Sequence, residues 1–520
     1  MSPPPPRENK DKFVVFDDLP RLAEEHRDQG KTIVLAHGVF DLMHLGHVRH
    51  FERARKEGGI LVVSLTADKF VNKGPDRPVF EETIRAEMVS AIEYVDYVTI
   101  NRDPSAMTVL NQLRPDIYVK GSDYENPEDD ITGNITRERE TVERHGGRMV
   151  LTHDITFSSS NIINRYLNVY DPPMREFLDT LHKNGGISTL MPYLDRALHR
   201  KIVLIGETII DEYRFVRPLG KPSKENIIAT QLMSSEIFAG GIIATARHMS
   251  SFVQHVEIIT WLGYHNLESD RAFIEAFLPE NVTLHVVVRK EVPTTRKIRY
   301  IDPSYTRKLF EVYDFINKKM TDDEIDETVR IYDKLRPDTD AVVANDFGHG
   351  MFAEKTIAHI IANAPFLAVN AQTNAGNQGF NYITRWPQAN YVCIDEPEAR
   401  LAVSDNHSSS IEIVKKLADQ IKADQIIVTH GQYGSYSYSK DGHIPMRYPA
   451  FTNRVVDTVG AGDAFFAVSA ALASDTTNTC PPELLSLVGN AAGAIKVGII
   501  GHRDSVHRSQ LIRFLTTLMK

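Results

Sequence analysis

The chain has 520 residues, of which 42% are hydrophobic, and a formal net charge of −10. This length favours two or three domains, and the negative charge argues against a nucleic-acid-binding surface as the main function. Two distant cysteines, Cys393 and Cys480, exclude a disulfide framework and a zinc ribbon, so we expect a cytoplasmic protein. No apolar run approaches the roughly 20 residues of a membrane helix, so we expect no membrane partner.

The first residues, "MSPPPPRENKDK", are proline-rich and charged, which predicts a disordered leader over residues 1–28. Short β-rich runs then alternate with segments of helical periodicity. "KTIVLAHG" is a predicted strand, "HLGHVRHFERARKEGG" a predicted helix and "ILVVSLTA" the next strand. Strands separated by helices indicate βαβ units and a parallel sheet, here over residues 29–167.

Residues 168–199 interrupt this alternation. "DPPMREFLDTLHKNGG" is typical of a helix that starts at proline and ends at glycine, and it predicts a helical connector. The alternation resumes at "RKIVLIGETIIDEY" and continues over residues 200–520. The predicted fold class is therefore α/β, with two doubly wound domains.

The stretch "AHGVFDLMHLGHVRHF" carries four histidines where a predicted strand and a glycine lead into a helix. A helix start presents free N–H groups and the positive end of the helix dipole, which favours a phosphate site. His44 and His47 share one face of the first turn and can donate to phosphate oxygens, while Gly38 allows close backbone approach. A metal site built from His44, His47 and His50, or purely structural histidines, are the alternatives at this point.

Four motifs in order resemble those of the cytidylyltransferase-like nucleotidyltransferases. "GVFDLMHLGHVRHFERA" contains the H-x-G-H core, and "NKGPDRPVFEETIRAEMV" is similar to the lysine-and-arginine segment. "RPDIYVKGSDY" resembles the segment beside the ribose and base, and "TFSSSNIINR" resembles the serine/threonine motif near the phosphates. The resemblance implies a Rossmann-like fold in which a sugar or alcohol phosphate attacks the α-phosphate of ATP or CTP, aided by Mg²⁺, and pyrophosphate leaves.

By position, the resemblance implies that His44 and His47 bind the triphosphate and stabilise the transition state. Lys73 and Arg85 would neutralise phosphates, and Asp123 would touch the nucleoside. The other nucleotide-binding positions that it implies are Gly38, Phe40, Asp41, Lys120, Ser158, Ser159 and Ser160.

Three further positions in this region receive other interpretations. Asp41 is expected to orient the loop, and His50 to lie on the helix surface. His37 departs from the small or hydroxyl residue expected before the glycine, and a structural role is one interpretation of it. A Rossmann dehydrogenase is a distant alternative, because "GVFDLMHLGH" lacks a G-x-G-x-x-G turn.

A second glycine signature lies in "RVVDTVGAGDAFFAVSAALA", where a predicted strand runs into G-A-G and a helix. The N–H groups of Ala461, Gly462 and Asp463 are expected to form an anion hole beside a carboxylate that can accept a proton. No lysine follows the glycines, so this is not a Walker loop. A tight turn with a capping aspartate is the alternative.

The surroundings of this signature resemble the ribokinase family of sugar kinases. Similar segments along the chain are "VLIGETIIDEY", "FAGGIIATARHMSSF", "VPTTRKIRYID", "ANDFGHGMF", "YVCIDEPEAR" and "IIVTHGQYGSY". The resemblance implies that Asp463 is the catalytic base. It implies ATP and anion contacts at Gly460, Ala461, Gly462, Thr429, Gly431, Gly434 and Glu398, and sugar contacts at Asp211, Gly240, Gly241, Lys297 and Arg299.

Two positions depart from the family pattern. The Gly-Gly loop runs into Ile242, Ile243 and Ala244 where the family has a sugar-holding asparagine, and Asp395 replaces an asparagine near the Mg²⁺ and phosphate element. A catalytically inactive kinase domain that serves as a sensor or scaffold is therefore the alternative function.

Together the two halves resemble the bifunctional heptose kinase/nucleotidyltransferases of ADP-heptose synthesis, with the domain order reversed. The resemblance implies phosphorylation of a heptose 7-phosphate at the anomeric hydroxyl and nucleotidyl transfer to a sugar 1-phosphate. Arg296, Lys297 and Arg299 are candidates for the distal phosphate, or alternatively line a solvated strand edge. We expect Mg²⁺, a sugar phosphate, ATP for the kinase and either ATP or CTP for nucleotidyl transfer, no direct protein metal site, and a homodimer or higher homo-oligomer.

Overall fold

The structure is a computed structural model that describes residues 9–71, 77–121, 134–152, 172–221, 223–224, 226–304, 307–441, 443–452 and 455–519. The chain divides into two compact units, Met1–Arg175 with Ile512–Lys520, and Glu176–Leu511. The helix Pro172–Lys183 in the predicted connector crosses this division. No helix in the described ranges is long and apolar enough to cross a membrane.

The first unit is built on five parallel strands in the order β3-β2-β1-β4-β5. The strands are β1 (Ile33–Gly38), β2 (Ile60–Thr66), β3 (Tyr97–Asn101), β4 (Ile117–Gly121) and β5 (Arg148–Thr152). The helices are α1 (Leu19–Arg27), α2 (Leu45–Glu57), α3 (Glu82–Ser90), α4 (Met107–Leu113) and α5 (Asn134–Arg144).

Both faces of this sheet are covered, because alternate residues of a strand point to opposite faces. Val34 and Ala36 of β1 pack with α2 and α3, whereas Ile33 and Leu35 pack with α1, α4 and α5. The apolar run "IVLA" of β1 is thus buried on both sides, as expected for a central parallel strand.

The prediction of a disordered leader over residues 1–28 is wrong for its last third, because residues 19–27 form helix α1. Phe16, Leu19 and Ala23 recur at helical spacing, and all three are buried against the sheet. The prediction assigned the whole segment to the leader because it starts with a proline-rich stretch. The helical spacing of apolar residues begins only after Phe13.

The second unit contains a nine-stranded sheet in the order β10-β9-β6-β13-β14-β15-β16-β17-β18, antiparallel only from β16 onward, and a four-stranded sheet in the order β12-β11-β7-β8. The strands are β6 (Lys201–Gly206), β7 (Thr208–Gly220), β8 (Ala229–Gly241), β9 (His255–Gly263), β10 (Val282–Arg289), β11 (Arg296–Asp302), β12 (Arg307–Asp314), β13 (Ala341–Asp346), β14 (Leu367–Ala371), β15 (Gln388–Asp395), β16 (Lys422–Thr429), β17 (Ser435–Ser439) and β18 (His443–Tyr448).

The remaining helices are α6 (Pro172–Lys183), α7 (Ile187–Ala197), α8 (Ile242–Ser250), α9 (Leu267–Glu275), α10 (Asp322–Leu335), α11 (Glu354–Asn363), α12 (Glu396–Ala402), α13 (Ser410–Gln420), α14 (Ala461–Ala473), α15 (Pro482–Lys496) and α16 (Arg508–Leu518). Apolar residues of the large sheet pack with α10 to α13 in one core that contains Trp261 and Trp386. Helix α14 is buried from Asp463 to Ala473 and packs against α8 and α15. The predicted fold class, α/β with two doubly wound domains, is confirmed.

The packing of α1 can be tested by the substitution Leu19→Ala. Leu19 is fully buried, so the change should lower the free energy of unfolding of the first unit by about 3 kcal/mol. Hydrogen exchange of β1 and β2 measures the loss. Ile84→Ala, at an exposed position of α3, is the control, and unchanged exchange in Leu19→Ala would show that α1 does not support the sheet.

Candidate active sites

The first site lies where β1 ends and α2 begins. His44 is the N-cap of α2, and its Nδ1 accepts a hydrogen bond from the N–H of Gly46 at 3.1 Å. The Nδ1 of His47 accepts one from the N–H of His44 at 3.4 Å, and the two rings stack with centroids 3.9 Å apart. The imidazoles therefore form a capping box, a role usually taken by serine and glutamate.

This capping fixes the tautomer of both rings. A neutral imidazole that accepts through Nδ1 carries its proton on Nε2, so Nε2 is a donor. Burial lowers the pKa of His44, which favours the neutral ring. Its Nε2 is buried and has no hydrogen-bond partner in the described part of the chain. His44 thus offers an unused N–H at a helix start, where phosphate oxygens bind.

The loop before His44 is held by Asp41. Its buried carboxylate accepts hydrogen bonds from the N–H groups of Val79 and Phe80 at 2.9 and 3.2 Å, and lies 3.8 Å from the guanidinium of Arg77. Asp41 thus joins two loops rather than facing a ligand.

Phe40 packs between His47 and the hydrophobic core of the first unit. Its ring contacts that of His47 edge-on, with centroids 5.6 Å apart, and packs on Phe51. The same ring folds over Gly38, where a Cβ would lie 3.1 Å from it. Phe40 and Gly38 therefore shape the support of the site.

Arg85, predicted to neutralise phosphate, has a different placement. Its side chain is fully buried. Its nitrogens donate to the carbonyls of Phe80, Val39 and Thr66 at 2.9, 2.5 and 2.9 Å, and Nη2 pairs with Asp68 at 2.6 Å. A fully buried guanidinium that uses four of its five N–H donors within the protein does not face a phosphate, and this corrects its predicted role.

Lys120 is also turned inward, which corrects its predicted nucleotide contact. Its Nζ lies 3.1 Å from Oε2 of Glu138, which also accepts a hydrogen bond from Tyr118 at 2.8 Å. Its positive charge is therefore compensated within the protein.

The other two histidines have partners in the sheet. Burial, assisted by the charge of Lys120, lowers the pKa of His37 to about 4, and its Nδ1 lies 3.2 Å from Oγ of Ser64. His50 was predicted to lie on the helix surface, but its Nδ1 bonds Oγ1 of Thr152 at 2.8 Å. Five predicted positions lie outside the described residues: Lys73, Asp123, Ser158, Ser159 and Ser160.

The second site is a cavity of about 590 Å³ at the carboxyl ends of β15 and β16 and the start of α14. Parallel strands end at one edge of a sheet, which brings these segments together. Eight predicted residues line the cavity: Glu398, Thr429, Gly431, Gly434, Gly460, Ala461, Gly462 and Asp463.

The start of α14 forms the floor of this cavity. Gly460 is the N-cap with φ +78°, and a Cβ there would lie 2.7 Å from the ring of His502. The N–H of Ala461 donates to the carbonyl of Thr458 at 3.3 Å. Of the three N–H groups predicted to form an anion hole, those of Gly462 and Asp463 remain available, since first-turn N–H groups have no partner within the helix.

Asp463 is buried at this floor. Burial raises the pKa of Asp463, although His502 and a hydrogen bond from Asn345 oppose the shift. A carboxylate with a raised pKa, beside N–H groups that stabilise an anion, has the properties of a general base for a hydroxyl group.

The predicted sugar residues converge on Asp211 of β7, outside the lining of the cavity. Burial alone would raise the pKa of Asp211, but Arg299 and His502 hold it well below its usual range. Arg299 forms an ion pair with Asp211, and Nε2 of His502 lies 3.2 Å from the same carboxylate. A Cβ at Gly240 would overlap that carboxylate, and Gly241 has φ +57°.

The basic residues of β11 are mostly paired within the protein. Arg296 binds Asp270 at 2.5 Å, and Arg299 also binds Glu311 at 2.9 Å. Lys297 is buried over the ring of Tyr313, and burial lowers its pKa. Of the three candidates for a distal phosphate, Lys297 is the one without a carboxylate partner in the described residues.

Comparison with known families agrees with this geometry. The model of the pfkB family carbohydrate kinases matches residues 199–508, more than half of the chain. The chain belongs to the pfkB family of carbohydrate kinases. A cytidylyltransferase-like model matches residues 35–165, so a cytidylyltransferase-like region precedes the pfkB region, in the order that the sequence predicts.

Curated relatives match the N-terminal region. The bifunctional protein HldE of Syntrophotalea carbinolica is 37% identical over 163 residues, covering 31% of this chain and 32% of that protein. HldE of Citrifermentans bemidjiense is 41% identical over 167 residues, covering 32% and 33%. The chain thus spans about a third of the length of these relatives. Phosphofructokinase-2 from Escherichia coli aligns with 61% of the chain at a TM-score of 0.49 and 14% identity.

The pfkB cavity also holds two neighbouring carboxylates. Glu398 accepts hydrogen bonds from the N–H groups of Thr373 and Asp395 at 2.9 and 3.2 Å, and Thr429 donates to Asp395 at 3.2 Å. Burial and the charge of Asp395 raise the pKa of Glu398 to about 8. The raised pKa values of Glu398 and Asp395 show that neither carboxylate has a cation partner of its own in the described part of the chain, and the pair fits Mg²⁺, a cation that binds carboxylate and phosphate oxygens.

Sequence reasoning did not identify His502 and Asn345 as site residues. His502 lies 39 positions after Asp463 in a segment without a motif. Asn345 belongs to the quoted segment "ANDFGHGMF", but the bond to Asp463 depends on the neighbouring strand ends and is not visible in the spacing.

The buried role of Arg85 predicts the effect of Arg85→Met. Three carbonyls and Asp68 would lose their partner, and we expect a loss of about 3 kcal/mol in the stability of the first unit, seen as faster hydrogen exchange of β1 and β2. Arg102→Met, which removes an exposed ion pair with Asp17, is the control. Normal protection combined with weaker ATP or CTP binding would instead favour a phosphate contact.

The carboxylate pair predicts that Mg²⁺ stabilises the pfkB unit. Tryptophan fluorescence reports on this unit alone, because Trp261 and Trp386 are the two tryptophans of the chain. We expect Mg²⁺ to raise the melting temperature by about 2 °C or more. Glu398→Gln should abolish the rise, and Glu275→Gln, at an exposed pair with Arg271, should retain it. An equal rise of the melting temperature in both variants would show that Mg²⁺ does not bind at Glu398.

Proposed function

We propose that the chain makes a nucleotide-activated sugar by two reactions. The pfkB unit phosphorylates a sugar hydroxyl with ATP, and the cytidylyltransferase-like unit transfers a nucleotidyl group from ATP or CTP to a sugar 1-phosphate. The observation that carries the kinase assignment is the meeting of Asp463, the N–H groups of α14 and the Thr429–Gly434 segment in one cavity.

In the kinase reaction, Asp463 accepts the proton of the attacking sugar hydroxyl. The sugar oxygen forms a bond to the γ-phosphorus of ATP, and the bond to the β,γ-bridging oxygen breaks, so that ADP leaves. The N–H groups of Gly462 and Asp463 stabilise negative charge on the transferred group. Mg²⁺, held through Glu398 and Asp395, would neutralise charge on the phosphates.

In the transferase reaction, a phosphate oxygen of the sugar 1-phosphate attacks the α-phosphorus of the nucleotide, and pyrophosphate leaves. The nucleophile is already an anion, so no base is required. The Nε2–H donor of neutral His44, stacked on His47, donates to the phosphate oxygens as charge moves to the leaving group.

We propose a heptose as the sugar, on the basis of the likeness to HldE proteins. Phosphorylation of heptose 7-phosphate at the anomeric hydroxyl gives a 1,7-bisphosphate. A separate phosphatase must then remove the 7-phosphate before nucleotidyl transfer. We further propose a homodimer or higher homo-oligomer.

A second candidate function is a transferase with a catalytically inactive kinase domain that acts as a sensor or scaffold. The observation that favours it is the pairing of Asp211 with Arg299 and His502, together with a Gly-Gly loop that runs into Ile242, Ile243 and Ala244 without the family's asparagine. A sugar must displace one of these partners to reach Asp211.

Substitution of Asp463 and of His44 distinguishes an active kinase domain from an inactive scaffold. Asp463→Asn should lower sugar phosphorylation by on the order of 10³-fold while pyrophosphate release from sugar 1-phosphate is retained. His44→Ala should have the opposite pattern, and Asp405→Asn, a loop aspartate paired with Lys416, should leave both activities intact. A screen of heptose 7-phosphate, other sugar phosphates and free sugars with ATP and CTP provides the assay. ATP binding without phosphorylation of any sugar would favour the scaffold.

The pH dependence of the kinase reaction tests the role of Asp463. A base must be ionised, so kcat should fall as the pH drops through the raised pKa of Asp463, above the range of an ordinary aspartate. Asn345→Ala removes a hydrogen bond that lowers this pKa, and the acidic limb should move to higher pH. An unchanged limb would show that another group titrates.

A further inference from the structure

Lys496, the last residue of α15, is buried completely, an environment in which lysine is rare. Its Nζ donates to the carbonyl of Val459 at 2.7 Å and lies 3.4 Å from the carbonyl of Ile499. The reactions described above do not use this ammonium group.

The two carbonyls belong to segments that form the kinase site. Val459 precedes Gly460, the N-cap of α14, and a Cβ at Gly460 would lie 3.2 Å from Cε of Lys496. Ile499 lies in the segment that leads to His502. One side chain therefore joins the start of α14 to the segment that carries the partner of Asp211.

The charges around Lys496 come from several elements. Asp457 and Asp463 attract its ammonium group, as does Asp211 on β7, whereas Lys308 on β12 repels it. Burial outweighs these attractions and lowers the pKa of Lys496 to about 8. The ammonium form is present at neutral pH and is lost as the pH rises through this value.

A purely space-filling role does not require this charge. The neighbouring residues Ile495 and Val497 are apolar and buried, and an apolar side chain of similar length avoids the desolvation of an ammonium group. The ammonium group of Lys496 lies instead against Val459 and Gly460, at the start of the helix α14 that is proposed to bind phosphate.

We propose that Lys496 is a positioning residue of the kinase site. Its ammonium group holds the Val459 carbonyl by a hydrogen bond and so aligns the start of α14 and Asp463 with the phosphate of ATP. It touches neither substrate, and it acts through the loop. This inference rests on the proposed kinase function.

The test compares Lys496→Met with the wild type in the full chain. We expect kcat/KM for sugar phosphorylation to fall on the order of 10- to 100-fold, the effect of a small misplacement of reacting groups. The dissociation constant for ATP should rise several-fold, and pyrophosphate release by the transferase unit should not change. Lys416→Met, at an exposed lysine that pairs with Asp405, is the matched control.

The pH profile separates positioning by charge from a structural role. Wild-type kcat/KM should fall as the pH rises through about 8, and Lys496→Met should lack this alkaline limb. If Lys496→Met does not fold, the pH profile of the wild type still tests the proposal. A wild-type kcat/KM without an alkaline limb overturns it.

Equal kcat/KM and equal pH profiles in Lys496→Met and wild type would overturn the role of Lys496 and leave the kinase function standing. If the wild type phosphorylates no sugar, the kinase function fails instead. ATP affinity then decides the inference, since an unchanged dissociation constant in Lys496→Met overturns it and a raised one supports it.

Discussion

The geometry of both units depends on one constraint, the common direction of parallel strands. Their carboxyl ends meet at one edge, and the helix that follows a strand starts there with unpaired N–H groups. In the first unit β1 ends at Gly38 and α2 begins beside His44. In the second unit β15 and β16 end beside the start of α14. Each edge therefore offers unpaired backbone donors of the kind that bind anions, and side chains lie beside them.

In the pfkB unit the buried charges form a compensated network. Asp457 accepts hydrogen bonds from Tyr213 of β7 at 2.7 Å and from Lys308 of β12 at 3.2 Å, and also from the N–H of Gly501 at 2.8 Å. The four-stranded sheet is thus bonded directly to the segment that precedes α14. Because each carboxylate has a cation or donor nearby, the charges remain buried without the full desolvation penalty of isolated ions.

The fold and the two active-site segments were predictable because local patterns determine them. Alternating β-rich and helical runs indicated parallel sheets, and the segments around His44 and Asp463 resemble family motifs. The cavity that gathers Thr429, Glu398 and Asp463 follows from the common strand edge, which the order of elements implies. These features depend on residues close together in sequence, or on the general rules of parallel sheets.

The direction of a long side chain was not predictable. Arg85 and Lys120 lie in segments similar to nucleotide-binding motifs, yet each turns to partners that are brought near by folding, the Val39 carbonyl and Glu138. Lys496 gave no signal because its partner Val459 is 37 residues earlier. A charged residue in a motif therefore indicates proximity to a site, and burial decides whether it faces the ligand.

The same reasoning bears on the altered Gly-Gly loop. The loop lacks the asparagine that the family resemblance implies, but Asp463 and the start of α14 do not depend on that loop. Asn345, on strand β13, donates to Thr245 at 2.8 Å and lies close enough to Asp463 to oppose the rise of its pKa, so an amide is present beside this carboxylate. A domain retained only as a scaffold gains no stability from burying Asp463 and Lys496 around one point, since apolar residues pack there at lower cost. The buried charges of Asp463 and Lys496 therefore favour an active kinase that acts on a different sugar. They do not favour a kinase domain that has lost its activity.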